Sequence, residues 1–242
     1  MHQMSEHFAF LDCRASEQEK EVLIRSGLTV VPLPPLASLP APVASHPDML
    51  VFLARGALVT RARYYRENRD LFDDFLARRP DVRLILTADE GGRDYPADVA
   101  LNAFLCGGGL FSNTSATAPE IIALARAQGY APVRVKQGYA SCSALVLCEE
   151  HLVTADPTIA RAAEARGITV THVGPGDIDL PGYDSGFIGG ACGVWNKTLF
   201  TCGNLDRYRF GTHVRRAAEE NGLRIVPLCD GPLTDRGKIL IF

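Results

Sequence analysis

The chain has 242 residues, 47% of them hydrophobic and 22% charged, which is enough to bury a core as a single domain. Its net charge of −3 provides no basic surface for nucleic acid or for an anionic membrane. The longest apolar runs have the length of strands, and residues 1–7 show no signal-peptide pattern. We therefore predict a cytoplasmic protein without a membrane span.

The chain contains seven cysteines, an odd number, and none of them forms a Cys-x-x-Cys pair. This usage is typical of a reducing compartment and argues against a structural zinc site.

A helix followed by a strand recurs five times along the chain. A leucine just past a turn or at the end of an apolar run marks a further strand before each helix. These marker leucines are Leu11, Leu58, Leu110, Leu152 and Leu199. The helices are predicted over residues 16–25, 64–78, 118–127, 157–166 and 211–221, and the strands after them over 28–31, 82–86, 132–135, 168–173 and 223–226. Four of the five joints carry a glycine that can end the helix: Gly27, Gly129, Gly167 and Gly222.

Both ends of the chain are apolar, at residues 8–11 and 238–242, and the first unit lacks the leading strand that the other four have. If the last residues pair beside the first strand, they supply the missing strand and remove the exposed edges. The sequence thus predicts one α/β domain over residues 1–242, a five-bladed propeller of ββαβ-like units closed by the C-terminal strand.

In such a ring every leading strand starts from the same side, so the polar loops before these strands converge near the axis. The five loops are residues 45–49, 95–102, 136–143, 179–192 and 229–237.

The first loop contains His46 and Asp48. A histidine close to a carboxylate can act as a general base that the carboxylate orients. The alternative is that Asp48 caps a turn and His46 is a solvated loop residue.

In the second loop, Asp98 and Asn102 flank the start of the leading strand. Carboxylates that line an enclosed pocket select cations, and planar guanidinium groups above all. Asn102 interrupts an otherwise apolar strand, which favours a role in the site over simple solvation.

The third loop places Lys136, Tyr139 and Cys142 within eight residues. Cys142 can act as a nucleophile if Lys136 or a histidine lowers the pKa of its thiol. The competing interpretation is a buried, inert thiol at the start of a strand.

The fourth loop is rich in glycine, which indicates close approach of the backbone to another strand or to a ligand. It is neither a Walker loop nor a dinucleotide fingerprint, because a strand and not a helix follows it. The polar candidates in the last two loops are Tyr183, Asp184, Cys192, Cys229, Asp230, Asp235 and Arg236.

Four motifs in register resemble a known superfamily. They are His46-Pro47-Asp48-Met49, the Tyr95–Asn102 segment, the Lys136–Ser143 segment and the Gly182–Gly190 segment. Together with the five units they resemble the pentein fold of guanidino-group-modifying enzymes, which include arginine and agmatine deiminases, dimethylarginine hydrolases and amidinotransferases. The motifs are most similar to those of an uncharacterised bacterial family assigned to that fold.

The resemblance implies a cysteine that attacks the guanidinium carbon, a histidine that moves protons and carboxylates that bind the cation. In the catalytic members the nucleophile lies at the start of the closing strand, where this chain has Asp235-Arg236-Gly237 and no cysteine. Cys142, at the pseudo-equivalent position of another unit, is therefore our first candidate, and Cys192 is the second.

The leading hypothesis is a cysteine-dependent hydrolase or amidinotransferase-like enzyme that acts on a small guanidine or amidine and needs no metal or cofactor. Its catalytic candidates are Cys142, Cys192, His46 as acid/base and Asp48 as the partner of His46. The alternative is a non-catalytic pentein that binds a protein partner or a small metabolite, and the oligomeric state stays open. The substrate-binding candidates are Asp98, Asn102, Lys136, Tyr139, Tyr183, Asp184 and Asp235.

Overall fold

The computed structural model describes residues 6–88 and 90–242. Fifteen strands and eight α-helices make up this part of the chain. The strands are β1 (Phe8–Asp12), β2 (Thr29–Leu33), β3 (Val51–Ala54), β4 (Ala57–Arg61), β5 (Arg83–Thr87), β6 (Phe104–Cys106), β7 (Gly109–Ser112), β8 (Ala131–Arg134), β9 (Ala144–Cys148), β10 (His151–Thr154), β11 (Thr169–His172), β12 (Cys192–Trp195), β13 (Thr198–Thr201), β14 (Arg224–Pro227) and β15 (Leu240–Ile241). The helices are α1 (Glu17–Arg25), α2 (Pro47–Leu50), α3 (Ala62–Glu67), α4 (Arg69–Arg78), α5 (Pro119–Ala127), α6 (Ala140–Ser143), α7 (Pro157–Glu164) and α8 (Gly211–Glu220).

The strands form five sheets of three, ordered β15-β1-β2, β3-β4-β5, β6-β7-β8, β9-β10-β11 and β12-β13-β14. In each sheet the middle strand pairs antiparallel with one neighbour and parallel with the other. The parallel partner follows a helix, as a crossover between parallel strands requires. The five predicted units are confirmed, and every marker leucine is fully buried in a middle strand.

The predicted helix over residues 64–78 is wrong in one respect, because two helices occupy this region. The break is at Asn68, whose backbone has φ −129° and ψ 36°. Its side-chain amide donates a hydrogen bond to the carbonyl of Tyr64 at 3.0 Å. Asparagine competes in this way with the helical hydrogen bonds of the backbone, which explains the break.

The C-terminal strand pairs with the first strand, as predicted. Strand β15 lies antiparallel to β1, with Ala9 opposite Ile241 and Phe10 opposite Leu240. The two ends of the chain therefore build one sheet together with β2.

The leading strands also contact one another, since β9 packs against β6 and β12, and β12 packs against β15. Helices α2 and α6 are single turns directly before β3 and β9. The segments that precede the leading strands are thereby brought together, and these segments carry the candidate residues.

None of the described helices combines the length and the apolar character needed to cross a membrane. Residues 1–5, on which the signal-peptide argument partly depends, lie outside the described residues.

We expect Phe75→Ala to lower the free energy of unfolding by about 3–5 kcal/mol, as truncation of a buried phenylalanine does. Phe75 of α4 is 1% exposed, and its ring centroid lies 5.0 Å from that of Phe8, 5.1 Å from Phe10 and 6.0 Å from Phe242. It therefore joins a helix to both ends of the chain. Urea unfolding measures the change.

The matched control is Ile24→Ala, because Ile24 is 57% exposed. We expect it to change the unfolding free energy by no more than about 0.5 kcal/mol. Equal effects of the two substitutions would contradict the assignment of Phe75 to the core.

Candidate active site

Cys142 lies in the single turn of α6, and its thiol is held by residues from two other loops. Its Sγ donates a hydrogen bond to Oδ2 of Asp48 over 2.8 Å. The side-chain amide of Asn102 donates to the same sulfur at 3.3 Å, and its Oδ1 accepts from the backbone N–H of Ser141 at 2.7 Å. Asn102 thus fixes the turn that carries the thiol.

The surroundings of Cys142 and Asp48 favour the protonated form of both side chains. Burial and the neighbouring Asp48 carboxylate raise the pKa of the Cys142 thiol well above its ordinary value. Burial also raises the pKa of Asp48 to about 7. The second oxygen of Asp48, Oδ1, is buried without a hydrogen-bond partner among the described atoms.

His46 lies between two carboxylates, and neither of them is Asp48. Its Nε2 is 3.8 Å from Oδ2 of Asp12, and its Nδ1 is 3.8 Å from Oδ1 of Asp235. Neither ring nitrogen has a hydrogen-bond partner in the described part of the protein. Burial lowers the pKa of His46 to about 3, so the ring is neutral at pH 7.

The predicted pairing of Asp48 with His46 is therefore corrected: the Asp48 carboxylate is the hydrogen-bond partner of Cys142. The three side chains are still close, since one ligand atom from each lies within 4.8 Å of the others. They could offer nitrogen, oxygen and sulfur to a metal ion, but Asp48 and Cys142 would first have to lose protons whose pKa values are raised.

Asp235 lies at the start of the closing segment and is held by two backbone groups. Its carboxylate accepts hydrogen bonds from the N–H of Phe187 at 2.8 Å and of Gly237 at 2.9 Å. Burial raises its pKa to about 6. A side chain at Gly186 or Gly190 would collide with Asp235, which explains the glycine-rich fourth loop.

Asp98 contacts the site through Tyr139. The Tyr139 hydroxyl donates a short hydrogen bond to Oδ2 of Asp98, and Oδ1 of Asp98 has no partner in the described structure. Burial and this carboxylate raise the pKa of Tyr139. The Tyr139 ring stacks on Phe187 at 6.2 Å, with 27° between the planes.

His46, Tyr139, Cys142, Phe187 and Asp235 line a cavity of about 110 Å³, which we call the central cavity. Its walls combine the carboxylate of Asp235, the imidazole of His46 and the thiol of Cys142 with apolar side chains. It is lined by Val43, His46, Tyr139, Cys142, Leu180, Tyr183, Ser185, Phe187 and Asp235.

Six predicted site residues do not line the central cavity: Asp48, Cys192, Asp98, Asn102, Lys136 and Asp184. Asp48 and Asn102 hydrogen-bond to Cys142, and Asp98 accepts a hydrogen bond from Tyr139, so these three adjoin residues that line it.

Lys136 is exposed, so the structure gives no support to its proposed effect on the Cys142 thiol. Asp184 is exposed and lines a neighbouring pocket. Cys192 is buried in an apolar cluster, and burial raises its pKa to about 12. Unlike Cys142, it does not line the central cavity, so the structure gives no support to a second nucleophile at this position.

Three charged residues near the site were not predicted from the sequence. Asp12, at the end of β1, faces His46 and is held by Arg14, whose Nε lies 2.9 Å from its Oδ1. The Lys238 ammonium donates hydrogen bonds to the carbonyls of Ser141 and Ala144 at 3.2 Å, one on each side of Cys142 in the sequence. Burial lowers the pKa of Lys238. The available signal was position, since Asp12 and Lys238 adjoin the apolar runs at the two ends of the chain.

The sequence matches one family model, described as "Family of unknown function (DUF6873)", over residues 10–240. The chain belongs to this family. No curated protein sequence matches this DUF6873 chain.

Solved structures of guanidino-group-modifying enzymes share its fold. A mutant of DDAH from Pseudomonas aeruginosa, complexed with citrulline, has 13% identity and a TM-score of 0.54, with 92% of this chain and 91% of that chain covered. SxtG, an amidinotransferase from Microseira wollei in the saxitoxin biosynthetic pathway, has 9% identity and a TM-score of 0.52, with 93% and 88% covered. The C. jejuni agmatine deiminase has 7% identity and a TM-score of 0.53, with 94% and 89% covered. The predicted pentein fold is confirmed for the DUF6873 chain.

We expect the stabilising effect of Asp48 to depend on pH. Its pKa is raised from 3.8 to about 7, so the folded protein binds this proton more tightly than the unfolded chain does. The carboxyl group therefore stabilises the fold fully below the unfolded pKa, and this contribution is lost as the pH rises through about 7. The unfolding free energy of the wild type minus that of Asp48→Asn should fall by several kcal/mol across this window, at about 1.4 kcal/mol per unit of pKa shift.

Urea unfolding at a series of pH values measures this difference. His46 contributes a pH dependence of the opposite sign, because its lowered pKa destabilises the fold as the pH falls from 6.5 towards 3. This contribution is present in both proteins and cancels when the unfolding free energy of Asp48→Asn is subtracted from that of the wild type. Asp230→Asn, at an exposed acid, controls for the loss of one charge. A pH-independent difference for Asp48→Asn would contradict the role assigned to this carboxyl.

Proposed function

We propose that this protein is a cysteine-dependent enzyme that acts on a small guanidine or amidine cation. The observation that carries the proposal is the thiol of Cys142 in one cavity with the buried carboxylate of Asp235. The carboxylates of Asp48 and Asp98 lie next to this cavity, hydrogen-bonded to Cys142 and Tyr139.

In the described part of the chain, no lysine or arginine lies within ion-pair distance of the carboxylates of Asp48, Asp98 or Asp235. The buried Lys238 ammonium acts on Asp48 from further away and offsets only part of this negative charge. A cationic ligand would supply the missing positive charge, and carboxylates suit the planar N–H array of a guanidinium group.

The ligand itself would activate the nucleophile. A cation beside the Cys142 thiol favours the thiolate, which opposes the effect of burial on its pKa. The thiol proton would pass to Oδ2 of Asp48 along the existing 2.8 Å hydrogen bond. A carboxyl group with a pKa of about 7 is suited to take and return a proton near neutral pH.

The thiolate of Cys142 then forms a C–S bond with the central carbon of the guanidinium group. The carbon–nitrogen bond to the departing amine breaks, and that amine takes the proton from Asp48. A thiouronium remains on the sulfur. Charge and atoms balance without an external acid or cofactor.

His46 would serve the second half of the reaction. Its ring is neutral and has a nitrogen free to accept a proton from an attacking water, while Asp12 and Asp235 would stabilise the resulting imidazolium. Attack on the thiouronium carbon breaks the C–S bond, the thiolate takes a proton from the protonated product that leaves, and His46 releases to solvent the proton that it took from water. An amine in place of water would make the same site an amidinotransferase.

A second candidate is a pentein that binds a cationic metabolite without covalent chemistry. One observation favours it: the start of the closing segment, where the catalytic members have their nucleophile, carries Asp235 and no cysteine. The neighbouring Arg236 points to Glu19, with its Nη2 3.3 Å from that carboxylate. A protein-binding role is the further alternative. The reactivity of Cys142 separates these from the enzyme.

We further propose that the five sheets form one closed propeller domain, which the pairing of β15 with β1 supports. All seven cysteines are free thiols, a usage typical of the cytosol.

We expect a haloacetamidine to alkylate Cys142 at least about tenfold faster than iodoacetamide, because its amidinium group satisfies the buried carboxylates. Peptide mass spectrometry of the folded protein maps the adduct, and Cys142→Ser removes the fast phase. Cys192→Ser is the matched control and should leave it unchanged. Slow labelling of Cys142 without preference for the amidine would refute the enzyme and favour the non-catalytic binder.

Asp235→Asn should weaken protection of Cys142 by a guanidinium compound about tenfold or more, since it removes a buried charge that faces the ligand. Competition by an alkylguanidine against the haloacetamidine measures the effect. Asp230→Asn, at an exposed acid of the same loop, is the control. Unchanged protection in Asp235→Asn would exclude this carboxylate from cation binding.

A further inference from the structure

A larger pocket, which we call the outer pocket, adjoins the central cavity. Its volume is about 410 Å³, and Tyr183, Ser185 and Phe187 line both spaces. Because the two share these walls, a compound held in the central cavity by its guanidinium group would extend its substituent into the outer pocket.

The charged side chains of the outer pocket have one sign. Asp156 and Asp184 line it, and none of the described residues that line it is lysine, arginine or histidine. A carboxylate on the substrate would meet two like charges there and no cation. The pocket therefore disfavours an amino acid or any other acid at the far end of the substrate.

The helix that begins at this pocket offers no free donors to an anion either. Oδ1 of Asp156 already accepts from the first backbone N–H groups of α7, those of Thr158 at 2.8 Å and Ile159 at 2.9 Å. Among the described residues, its Oδ2 accepts a single long hydrogen bond, from the side-chain amide of Gln137 at 3.3 Å. Asp156 thus uses its Oδ1 to pair the N–H groups at the start of α7, and its Oδ2 can accept a hydrogen bond from a ligand.

Ser143 provides an independent indication that this pocket binds a polar ligand. It is 2% exposed and lines the outer pocket, and its hydroxyl has no hydrogen-bond partner in the described structure. Buried hydroxyl groups are rarely left unpaired, because desolvation without a hydrogen bond is costly. A donor on the ligand would satisfy this oxygen.

The rest of the pocket is largely apolar. Val173, Pro175, Ile178, Ile188 and Tyr208 form much of its surface. Such walls suit a hydrocarbon spacer between two polar ends of a ligand.

We propose that the outer pocket binds the far end of the substrate, and that this end is a primary amine joined to the guanidinium group by an apolar spacer. The inference rests on the proposed function and narrows it to guanidinoalkylamines. The ammonium group has three donors, which suit Oδ2 of Asp156 and the Ser143 hydroxyl, with Asp184 adding negative potential at the rim. Carboxylate-bearing guanidino compounds are disfavoured.

The test compares three compounds that differ only at the far end: guanidinobutylamine, butylguanidine and guanidinobutanoic acid. Calorimetry gives their dissociation constants, and protection of Cys142 against the haloacetamidine reports occupancy of the central cavity. We expect the amine to bind about tenfold or more tightly than butylguanidine, as a charged hydrogen bond provides, and the acid to bind most weakly.

Variants of the outer pocket should remove the advantage of the amine and leave the affinity for butylguanidine unchanged. Asp156→Asn keeps a capping oxygen for α7, so the helix is retained. Ser143→Ala and Asp184→Asn test the other two groups independently. Asp179→Asn, at an exposed acid of the same loop outside the pocket, removes the same charge and should preserve the advantage.

The outcomes separate this inference from the proposed function. If the three compounds protect Cys142 equally, or the acid protects best, the inference is wrong and the proposed function stands. An amine advantage that survives in all three pocket variants also overturns it. If no guanidino compound binds or protects Cys142, the proposed function fails, and the inference fails with it.

Discussion

The hydrogen bond between the Cys142 thiol and the Asp48 carboxylate is the interaction on which the candidate site depends. Both residues are 2% exposed, so little solvent screens the pair and the charged form of each group is penalised. Asn102 donates to the same sulfur and also holds the backbone of the Cys142 turn. Three loops that are distant in sequence thereby meet at one thiol.

Two further carboxylates of the site, those of Asp235 and Asp98, are also buried. Asp235 is held by backbone N–H groups, and Asp98 by the hydroxyl of Tyr139, so neither is neutralised by a basic side chain of the described chain. Glycines at positions 186 and 190 permit the close approach of Asp235. Buried carboxylates without a basic partner within ion-pair distance lower the stability of the folded protein.

Much of the fold could be predicted from the sequence because it depends on local patterns. Helix and strand periodicity, with glycine at the joints, located the five units, and apolar chain ends indicated the pairing of β15 with β1. The break at Asn68 was missed because one asparagine within a helical pattern is a weak local signal. In the site, the loops were identified, but the pairing of side chains was not: Asp48 contacts Cys142 and not His46.

The sequence by itself determined the order of the elements, the five-unit repeat and the loops that carry reactive residues, because these follow from periodicity and turn chemistry within short segments. Only the tertiary structure decided that Lys136 is exposed, that Cys192 is enclosed by apolar side chains, and that Asp12 and Lys238 belong to the site. Those outcomes depend on burial and on distances between residues far apart in the chain. Such quantities set pKa values and hydrogen bonds, and they exist only once the sheets have packed together.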